Sequence, residues 1–430
     1  MRYRTIDPNL FIQNRKKLTM QLHANSLVVL HANDRMPTNT DGTMPFVQNS
    51  DLFYLSGIDQ EETILLLYPD APKEEWKEIL FIKETDVQLA IWEGPKYSKE
   101  TATTISGITT VNWTTAFKQI FHTLMGLASA IYLNTNEHPR ANVSIATRDR
   151  RFISWCKERY PLHQYKRLAP IMQQLRGLKE ETEITLIQEA CTITEAGFRS
   201  VLPMVRPGIM EYEIEALLAY AFLRRGSKGF AYAPTIASGV NSCILHYINN
   251  DQPCPAGGLL LIDVGAEYAH YSADLTRVIP IDGKFTTRQR QVYNAVLRIL
   301  KAAQAVLRPG LSFTDYYKAV GEWVEAELVA LKLIDTTDIK NQSKSAPAYR
   351  KYFMHGISHH LGLSTHDLGD THGVILPNMV LTIEPGIYIP EEQTGIRLEN
   401  NVVIRANGVQ NLTENMPIEA EEIEALMGKG

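Results

Sequence analysis

The second half of the chain contains an internal repeat, and this repeat limits the possible folds more than any other feature. The segment VRPGIMEYEIEALLAYAF, which begins at Val205, recurs as LRPGLSFTDYYKAVGEWV, which begins at Leu307. In each copy a predicted helix ends at Arg-Pro-Gly, a second helix follows, and β-rich sequence comes next. Two helix–helix–sheet halves predict a pseudo-symmetric α+β domain with its active site between the halves.

The first half has a different pattern. A charged helix at 9–22 leads into apolar runs at 26–32, 63–68, 78–82 and 130–133, with helical patterns at 116–127 and 144–159. This alternation predicts an α/β domain with a mostly parallel or mixed sheet over residues 1–175. The half contains no catalytic cluster, so we expect a scaffold or interface module. Trp92 is a candidate exception.

Composition excludes several functional classes. A length of 430 residues favours two domains, and 44% hydrophobic content is typical of a globular enzyme. A formal net charge of −5 argues against a nucleic-acid surface. No apolar run is long enough for a membrane span, and the N-terminal residues lack the apolar core of a signal peptide. Four widely separated cysteines suit a reducing compartment, so we expect a cytoplasmic location without membrane or nucleic-acid partners.

Residues 355–367, HGISHHLGLSTHD, contain four of the twelve histidines of the chain. Clustered imidazoles repel one another when charged and need partners when buried, which indicates a binding function. His355, His359 and His366 stand among apolar residues and glycines, as in the wall of a cleft. We interpret His360 as a packing residue.

Two predicted hairpins each carry a pair of acids within apolar strands. In GLLLIDVGAEYAHYSAD, a turn near Tyr268 and Ala269 would place Asp263 directly opposite Asp274. Like charges in opposed positions of a hairpin are destabilising, and a cation between them would remove the conflict.

In VLTIEPGIYIPEEQTGIRLEN, Glu384 and Glu399 are symmetric about residues 391 and 392. Either pair alone could be a solvent-facing alternation, but two pairs on either side of a histidine cluster favour a metal site. Such an oxygen-rich set could hold two divalent ions, with manganese expected rather than zinc. The reaction class is then metal-assisted hydrolysis, and the chain lacks a GxxxxGKS phosphate loop.

These motifs resemble the pita-bread metallopeptidases, the family that includes methionine aminopeptidase, prolidase, aminopeptidase P and creatinase. The resemblance from about residue 178 rests on TIASGVNSCILHY, LIDVGAEYAHYSADLTR, HGISHHLGLSTHD, LTIEPGIYI and GIRLEN. It implies an α+β pita-bread catalytic domain at 176–430, with an internal pseudo-twofold repeat, after an α/β creatinase-like domain at 1–175. The metal ligands implied by the family are Asp263, Asp274, His359, Glu384 and Glu399.

The segment MPFVQNSDLFYLSGIDQEETILLLYP, from Met44, resembles the N-terminal domain of aminopeptidase P. The resemblance implies removal of an N-terminal residue that precedes proline, with Glu384 as general base and proton shuttle. Substrate-handling residues implied by the family are His246, His355, His366, Arg397, Tyr232 and Tyr388. Trp92 matches a tryptophan that reaches into the proline pocket of a neighbouring subunit, which implies a substrate-binding role for Trp92 and a homodimer or homotetramer.

The residues leave other interpretations open. Trp92 could equally anchor the core of the N-terminal domain, and the two tyrosines could be packing residues. Prolidase, which cleaves Xaa-Pro dipeptides, shares all five implied ligands and is the main alternative activity. A non-catalytic binding protein with the same fold is a further alternative, although such members usually lose ligands.

Overall fold

The chain divides into two structural units. The computed structural model describes residues 2–141, 144–343 and 346–428. One unit comprises residues 5–175, and the other comprises the residues up to Arg4 together with the chain from Arg176 onwards. No helix within the described ranges is long and apolar enough to cross a lipid bilayer.

The N-terminal unit is built on one six-stranded sheet. Its strands are β1 (Ser26–His31), β2 (Ile64–Leu67), β3 (Glu78–Ile82), β4 (Thr110–Trp113), β5 (Ala130–Leu133) and β6 (Gln164–Arg167). Their order is β4-β3-β2-β1-β5-β6. Strand β2 runs antiparallel to both of its neighbours, and the other three pairings are parallel. The predicted mixed sheet is therefore confirmed.

Six helices accompany this sheet: α1 (Pro8–Thr19), α2 (Ser50–Ser56), α3 (Val87–Glu93), α4 (Lys99–Ser106), α5 (Phe117–Met125) and α6 (Arg148–Arg159). Helix α6 begins four residues later than the pattern predicts, because the Thr147 side chain caps it by accepting from the Arg150 N–H. Strands β4 and β6 were not expected, since TVNW and QYKR are the two edge strands and bury few side chains.

The second unit contains the internal repeat. Its helices are α7 (Ala169–Gly177, shared with the first unit), α8 (Glu181–Val201), α9 (Glu211–Leu223), α10 (Thr287–Val306), α11 (Phe313–Ala330), α12 (Thr336–Asn341) and α13 (Ala420–Met427). Its strands are β7 (Gly229–Phe230), β8 (Thr235–Ser238), β9 (Leu259–Val264), β10 (Ala266–Tyr268), β11 (Tyr271–Ser272), β12 (Leu275–Pro280), β13 (Val380–Ile383), β14 (Gly386–Ile389), β15 (Thr394–Arg397), β16 (Asn400–Arg405) and β17 (Gly408–Asn411).

The two copies of the repeat have matching structures. Helix α8 packs on α9 beside the sheet β12-β9-β8, and α10 packs on α11 in the half that contains β13-β16-β17. Each Arg-Pro-Gly glycine has a positive φ, 83° at Gly208 and 85° at Gly310, which favours glycine. The N–H of Gly208 donates to the Cys254 carbonyl and that of Gly310 to the Ile375 carbonyl, both at 2.9 Å. This correspondence confirms the predicted pseudo-symmetry.

The first residues of the chain pack with the second unit. The Arg2 guanidinium donates to the Ser227 carbonyl at 3.4 Å. The Arg4 N–H donates to the Tyr268 hydroxyl at 3.2 Å, and the Tyr3 ring meets the Tyr268 ring edge-on with centroids 6.3 Å apart. Tyr3 and Arg4 thus contact the strand β10, and Arg2 contacts the segment between α9 and β7.

Candidate active site

The first acidic hairpin has a different register from the predicted one. Strands β9 and β12 pair Asp263 with Thr276, so Asp263 is not directly opposite Asp274. The turn consists of Ala269 and His270, whose φ angles are 53° and 69°. Two central residues with positive φ are typical of a type I′ turn, which here lacks its usual Asn-Gly signal. The predicted centre of the hairpin turn, near Tyr268 and Ala269, was therefore one residue too early.

The two aspartates nevertheless share one face of the hairpin. Positions two apart in register lie on the same side of the strands, within reach of one polar group. The Tyr232 hydroxyl lies 2.6 Å from Asp263 Oδ1 and 2.7 Å from Asp274 Oδ1. Burial, followed by the neighbouring carboxylates, raises the pKa of Tyr232 well above 10. This tyrosine, which the family resemblance implies as a substrate-handling residue, contacts both acids.

The second acidic hairpin has the predicted register. Strands β14 and β15 pair Gly386 with Arg397, and the same register continues into β13 and β16. Glu384 and Glu399 therefore lie at the same level of the two arms. The tip is a short helical turn that ends at Gln393, with φ 49°. The predicted opposition of the two glutamates is confirmed.

His359 lies where the two hairpins meet. Its segment runs beside β13, since the Thr382 N–H donates to the His359 carbonyl at 2.9 Å. Its Nε2 is 3.4 Å from Asp274 Oδ2 and 3.6 Å from Glu384 Oε1. Asp274, His359 and Glu399 each offer a ligand atom, and these atoms lie within 4.8 Å of one another. The five residues selected from sequence thus form one group, which we term the acidic cluster: Asp263, Asp274, His359, Glu384 and Glu399.

The acidic cluster contains more negative charge than its own basic groups balance. Burial raises the pKa of Glu384 to about 7 and the pKa of Glu399 well above 4.5. Within the described ranges the buried Glu399 Oε1 has no hydrogen-bond partner. Burial alone would lower the pKa of His359, but Asp274 and Glu384 hold it above 6.5. An unpartnered oxygen among crowded carboxylates fits divalent cations with a preference for oxygen ligands.

Arg397 connects the acidic cluster to its surroundings. Its Nη2 donates to Asp263 Oδ2 at 2.5 Å, its Nη1 to the Tyr388 hydroxyl at 2.8 Å and its Nε to Thr276 Oγ1 at 3.0 Å. The Thr276 hydroxyl in turn donates to Glu399 Oε2 at 2.7 Å. Arg397 thereby fixes acids from both hairpins. Thr276 was not predicted, because a threonine in an apolar strand is an ordinary β-former.

His355 forms a neutral polar wall beside Glu384. Burial lowers the pKa of His355 to about 3, so the imidazole is uncharged at neutral pH. Its Nδ1 is 2.8 Å from the Gly356 carbonyl and 3.6 Å from Glu384 Oε2, and its Nε2 is 2.7 Å from the Tyr388 hydroxyl. Since a carbonyl only accepts, we assign the proton to Nδ1, and Tyr388 donates to Nε2.

The remaining histidines occupy different positions. The His366 ring is half-buried, with its centroid 4.1 Å from that of His359. His246 is exposed, and its charge is one of the causes that lower the pKa of His355. His360 is buried, with Nε2 3.1 Å from the Asp370 carbonyl, which agrees with a packing role.

Trp92 belongs to α3 of the N-terminal unit, where 83% of its surface is exposed. The interpretation of Trp92 as a core anchor of that unit is therefore wrong.

Two supporting contacts were missed by sequence reasoning. Asn401 Oδ1 accepts from the Asp274 N–H at 3.0 Å, and its amide donates back to the Asp274 carbonyl. Asp367 is buried in ion pairs with Arg176 and, at 2.9 Å, with Lys179. These partners are 127 to 191 positions apart in the chain, so no local pattern indicates them.

Models of two known families match the chain. The model of metallopeptidase family M24 matches residues 185–406, and that of the aminopeptidase P N-terminal domain matches residues 11–132. The first match covers the internal repeat and the whole acidic cluster. The second covers β1 to β5 of the N-terminal sheet, apart from the last residue of β5.

Individual relatives match over nearly the full length. The chain is 31% identical over 433 residues to the Xaa-Pro aminopeptidase of Escherichia coli, with 97% of each chain covered. It is 28% identical to Xaa-Pro aminopeptidase 3 of Homo sapiens, covering 96% of this chain and 82% of that protein.

Solved structures agree with these matches. Escherichia coli aminopeptidase P in complex with substrate has a TM-score of 0.88 and 30% identity, with 99% of each chain covered. Proline aminopeptidase P II from Yersinia pestis also has a TM-score of 0.88 and 30% identity, covering 98% of this chain and all of that one. The chain therefore belongs to metallopeptidase family M24, within its aminopeptidase P group.

Proposed function

We propose that the chain is an Xaa-Pro aminopeptidase, which hydrolyses the bond between the first residue of a peptide and a proline in second position. The observation that carries this proposal is the acidic cluster, in which two buried carboxylates, two partly buried carboxylates and His359 converge beside an Arg397–Tyr388–His355 hydrogen-bond chain. Full-length similarity to Xaa-Pro aminopeptidases supports the substrate class. The Xaa-Pro amide lacks an N–H, which makes it a distinct substrate.

The acidic cluster would hold two divalent cations, and we infer Mn²⁺ as the native ion. The proposed ligands are Asp263, Asp274, His359, Glu384 and Glu399. Four carboxylates and one imidazole form a mainly hard donor set, which suits manganese. Structural zinc sites differ, because their donor sets are rich in thiolates. Bound cations supply Lewis acidity and lower the pKa of water, which provides a nucleophile near neutral pH.

Glu384 is the proposed general base and proton shuttle. A carboxylate with a pKa of about 7 can accept a proton and return it near neutral pH. The neutral His355 lies 3.6 Å from the same carboxylate and adds no charge that would lower its basicity. Because burial is the main cause of this raised pKa, the proposed proton transfer depends on the position of Glu384 inside the site.

The surrounding polar groups are proposed to bind and orient the peptide. His246 on the rim and His366 beside His359 would donate N–H groups to the scissile carbonyl as negative charge develops on its oxygen. Arg397 holds Asp263 in place, and Tyr232 and Tyr388 extend the polar wall. These side chains supply positioning as well as charge stabilisation.

The N-terminal domain, residues 1–175, is proposed as a scaffold and oligomerisation module for the catalytic domain at 176–430. Helix α3 exposes Val87, Ile91 and Trp92 to 78%, 74% and 83%. Adjacent exposed apolar side chains on one helix are typical of an interaction surface. We infer a homodimer or homotetramer in which Trp92 contacts a neighbouring subunit. The four free cysteines support a reducing, cytoplasmic location.

A substrate comparison tests the activity. Manganese-loaded protein should release the first residue from an Xaa-Pro-Yaa tripeptide much faster than from the matched Xaa-Ala-Yaa tripeptide. An Xaa-Pro dipeptide should be the poorer substrate, and a clear preference for it would assign prolidase activity instead. Absence of turnover on every Xaa-Pro peptide, with metal bound, would contradict the proposal.

A further inference from the structure

Glu211 is a fully buried carboxylate at the first position of α9, and none of the catalytic steps proposed above uses it. It contacts the segment between β8 and β9 that carries His246. We term residues 239–251 the His246 loop. Both ends of this loop are held by the two oxygens of the same carboxylate.

One oxygen binds the start of the loop and the other binds its end. Oε1 accepts from the Ser238 N–H at 2.8 Å, from the Ser238 hydroxyl at 2.7 Å and from the Asn241 amide at 3.4 Å. Oε2 accepts from the Tyr247 hydroxyl at 2.7 Å and from the Gln252 N–H at 3.0 Å. Five donor contacts saturate a carboxylate, which has about four lone-pair sites.

His246 depends on this arrangement for its position. In the part of the chain that the structure describes, its side chain is exposed and makes no hydrogen bond of its own. Its location is therefore set by the backbone, and the next residue, Tyr247, is anchored to Glu211. A second contact lies one turn further along α9, where Glu215 Oε2 accepts from the Asn250 amide at 2.7 Å. One face of α9 thus contacts the loop on both sides of His246.

We propose that Glu211 is a positioning residue that fixes the His246 loop so that His246 faces the acidic cluster. The proposal rests on the role given above to His246 in binding the peptide. An ionised carboxylate accepts hydrogen bonds at both oxygens. A glutamine of the same shape has an NH₂ donor in place of one oxygen, so the donors at one end of the loop would face another donor. The loop would then lose the anchor on one side while α9 remains folded.

Glu211→Gln is the decisive variant, measured as kcat and KM on an Xaa-Pro-Yaa tripeptide with the full-length, metal-loaded protein. We expect kcat/KM to fall by about 10- to 100-fold, as for a misplaced catalytic contact, with metal content unchanged. In a His246→Ala background the same substitution should have little further effect. An equal loss in both backgrounds would overturn the proposal, since it would indicate general structural damage.

Amide hydrogen exchange gives a readout that does not depend on activity. Glu211→Gln should accelerate amide exchange within 239–252 and leave amide exchange in the paired strands β13 and β16 unchanged. Unchanged exchange in the His246 loop would overturn the proposal even if the protein cleaves Xaa-Pro peptides. Conversely, if the wild-type protein cleaves none of these peptides, the proposed function fails while the exchange result still decides whether Glu211 holds the loop.

Two further variants control the interpretation. Glu213→Gln changes a carboxylate on the same helix that accepts from the Met210 N–H at 2.8 Å, so it perturbs the helix start without contacting the loop. It should retain wild-type kcat/KM and loop exchange. If Glu211→Gln does not fold, Tyr247→Phe removes a single donor and should lower kcat/KM in the same direction, by about 3- to 10-fold.

Discussion

Replacing Glu384 by glutamine should stabilise the metal-free protein at pH 8 and leave its stability almost unchanged at pH 4. Burial raises the pKa of this carboxyl group, so the ionised form is disfavoured in the folded state relative to the unfolded state. At low pH the group is protonated in both states and costs nothing. As the pH rises from 4.5 through 7, folded wild-type protein must ionise a buried group, and stability is lost.

The size of the effect follows from the pKa values. A rise from the ordinary 4.5 to about 7 corresponds to about 3 kcal/mol at pH 8, since one pKa unit is about 1.4 kcal/mol. For a unit of about 250 residues, each kcal/mol changes the unfolding temperature by roughly 2 °C. Glutamine has nearly the same shape and no charge. The variant should therefore unfold about 6 °C higher than the wild type at pH 8.

The assay is thermal unfolding of chelator-treated protein at pH 4 and pH 8. Glu392→Gln is the matched control, because its carboxylate lies at the tip of the same hairpin, where a hydrogen bond from Arg288 lowers its pKa. That variant should not gain stability at pH 8. An unchanged or lower unfolding temperature for Glu384→Gln at pH 8 would refute the reasoning. With metal restored, the same variant should lose most turnover, and full activity would exclude Glu384 as the base.

Other predictions concern the supporting contacts. Asp367→Asn should lower the free energy of unfolding in urea by about 3–5 kcal/mol, because two buried basic side chains lose their counter-ion. Burial raises the pKa of the Asp367 carboxyl, but those basic groups hold it at about 2, so wild-type stability should fall as the pH drops from 4 towards 2. Tyr388→Phe removes the donor to His355 and should reduce kcat about 10-fold with metal content unchanged by elemental analysis. Trp92→Ala should shift the proposed oligomer towards monomer in light scattering, whereas Leu162→Ala, which alters a side chain that is 97% exposed elsewhere in the same unit, should not.

The two hairpins illustrate what sequence reasoning could determine. The tip of the second hairpin is marked by proline, two glutamates and a glycine between long apolar arms, so its centre and the opposition of Glu384 and Glu399 were predictable. The first hairpin turns at Ala269 and His270, which carry no turn signal, and its register was misplaced. Asp263 and Asp274 nevertheless share a face and a hydrogen-bond partner, because a slip of two positions keeps side chains on the same face of a strand.

Residues that act through long-range contacts could not be found from sequence. Glu211 reads as an ordinary acid in the first turn of a helix, which is favoured there by the helix dipole alone. Its five donors lie 27 to 41 positions away, and only the fold brings them to one carboxylate. Thr276 and Asn401 are similar, since each is a common residue in a buried strand until its partner is known.

The packing of Tyr3 and Arg4 onto Tyr268 has a practical consequence for preparing the protein. A fragment that starts at residue 176 would contain the acidic cluster but would lose the contacts that Tyr3 and Arg4 make with Tyr268, next to the turn of the first hairpin. A tag at the C-terminal end, beyond α13, leaves these contacts intact and is the better choice for measuring metal content and turnover.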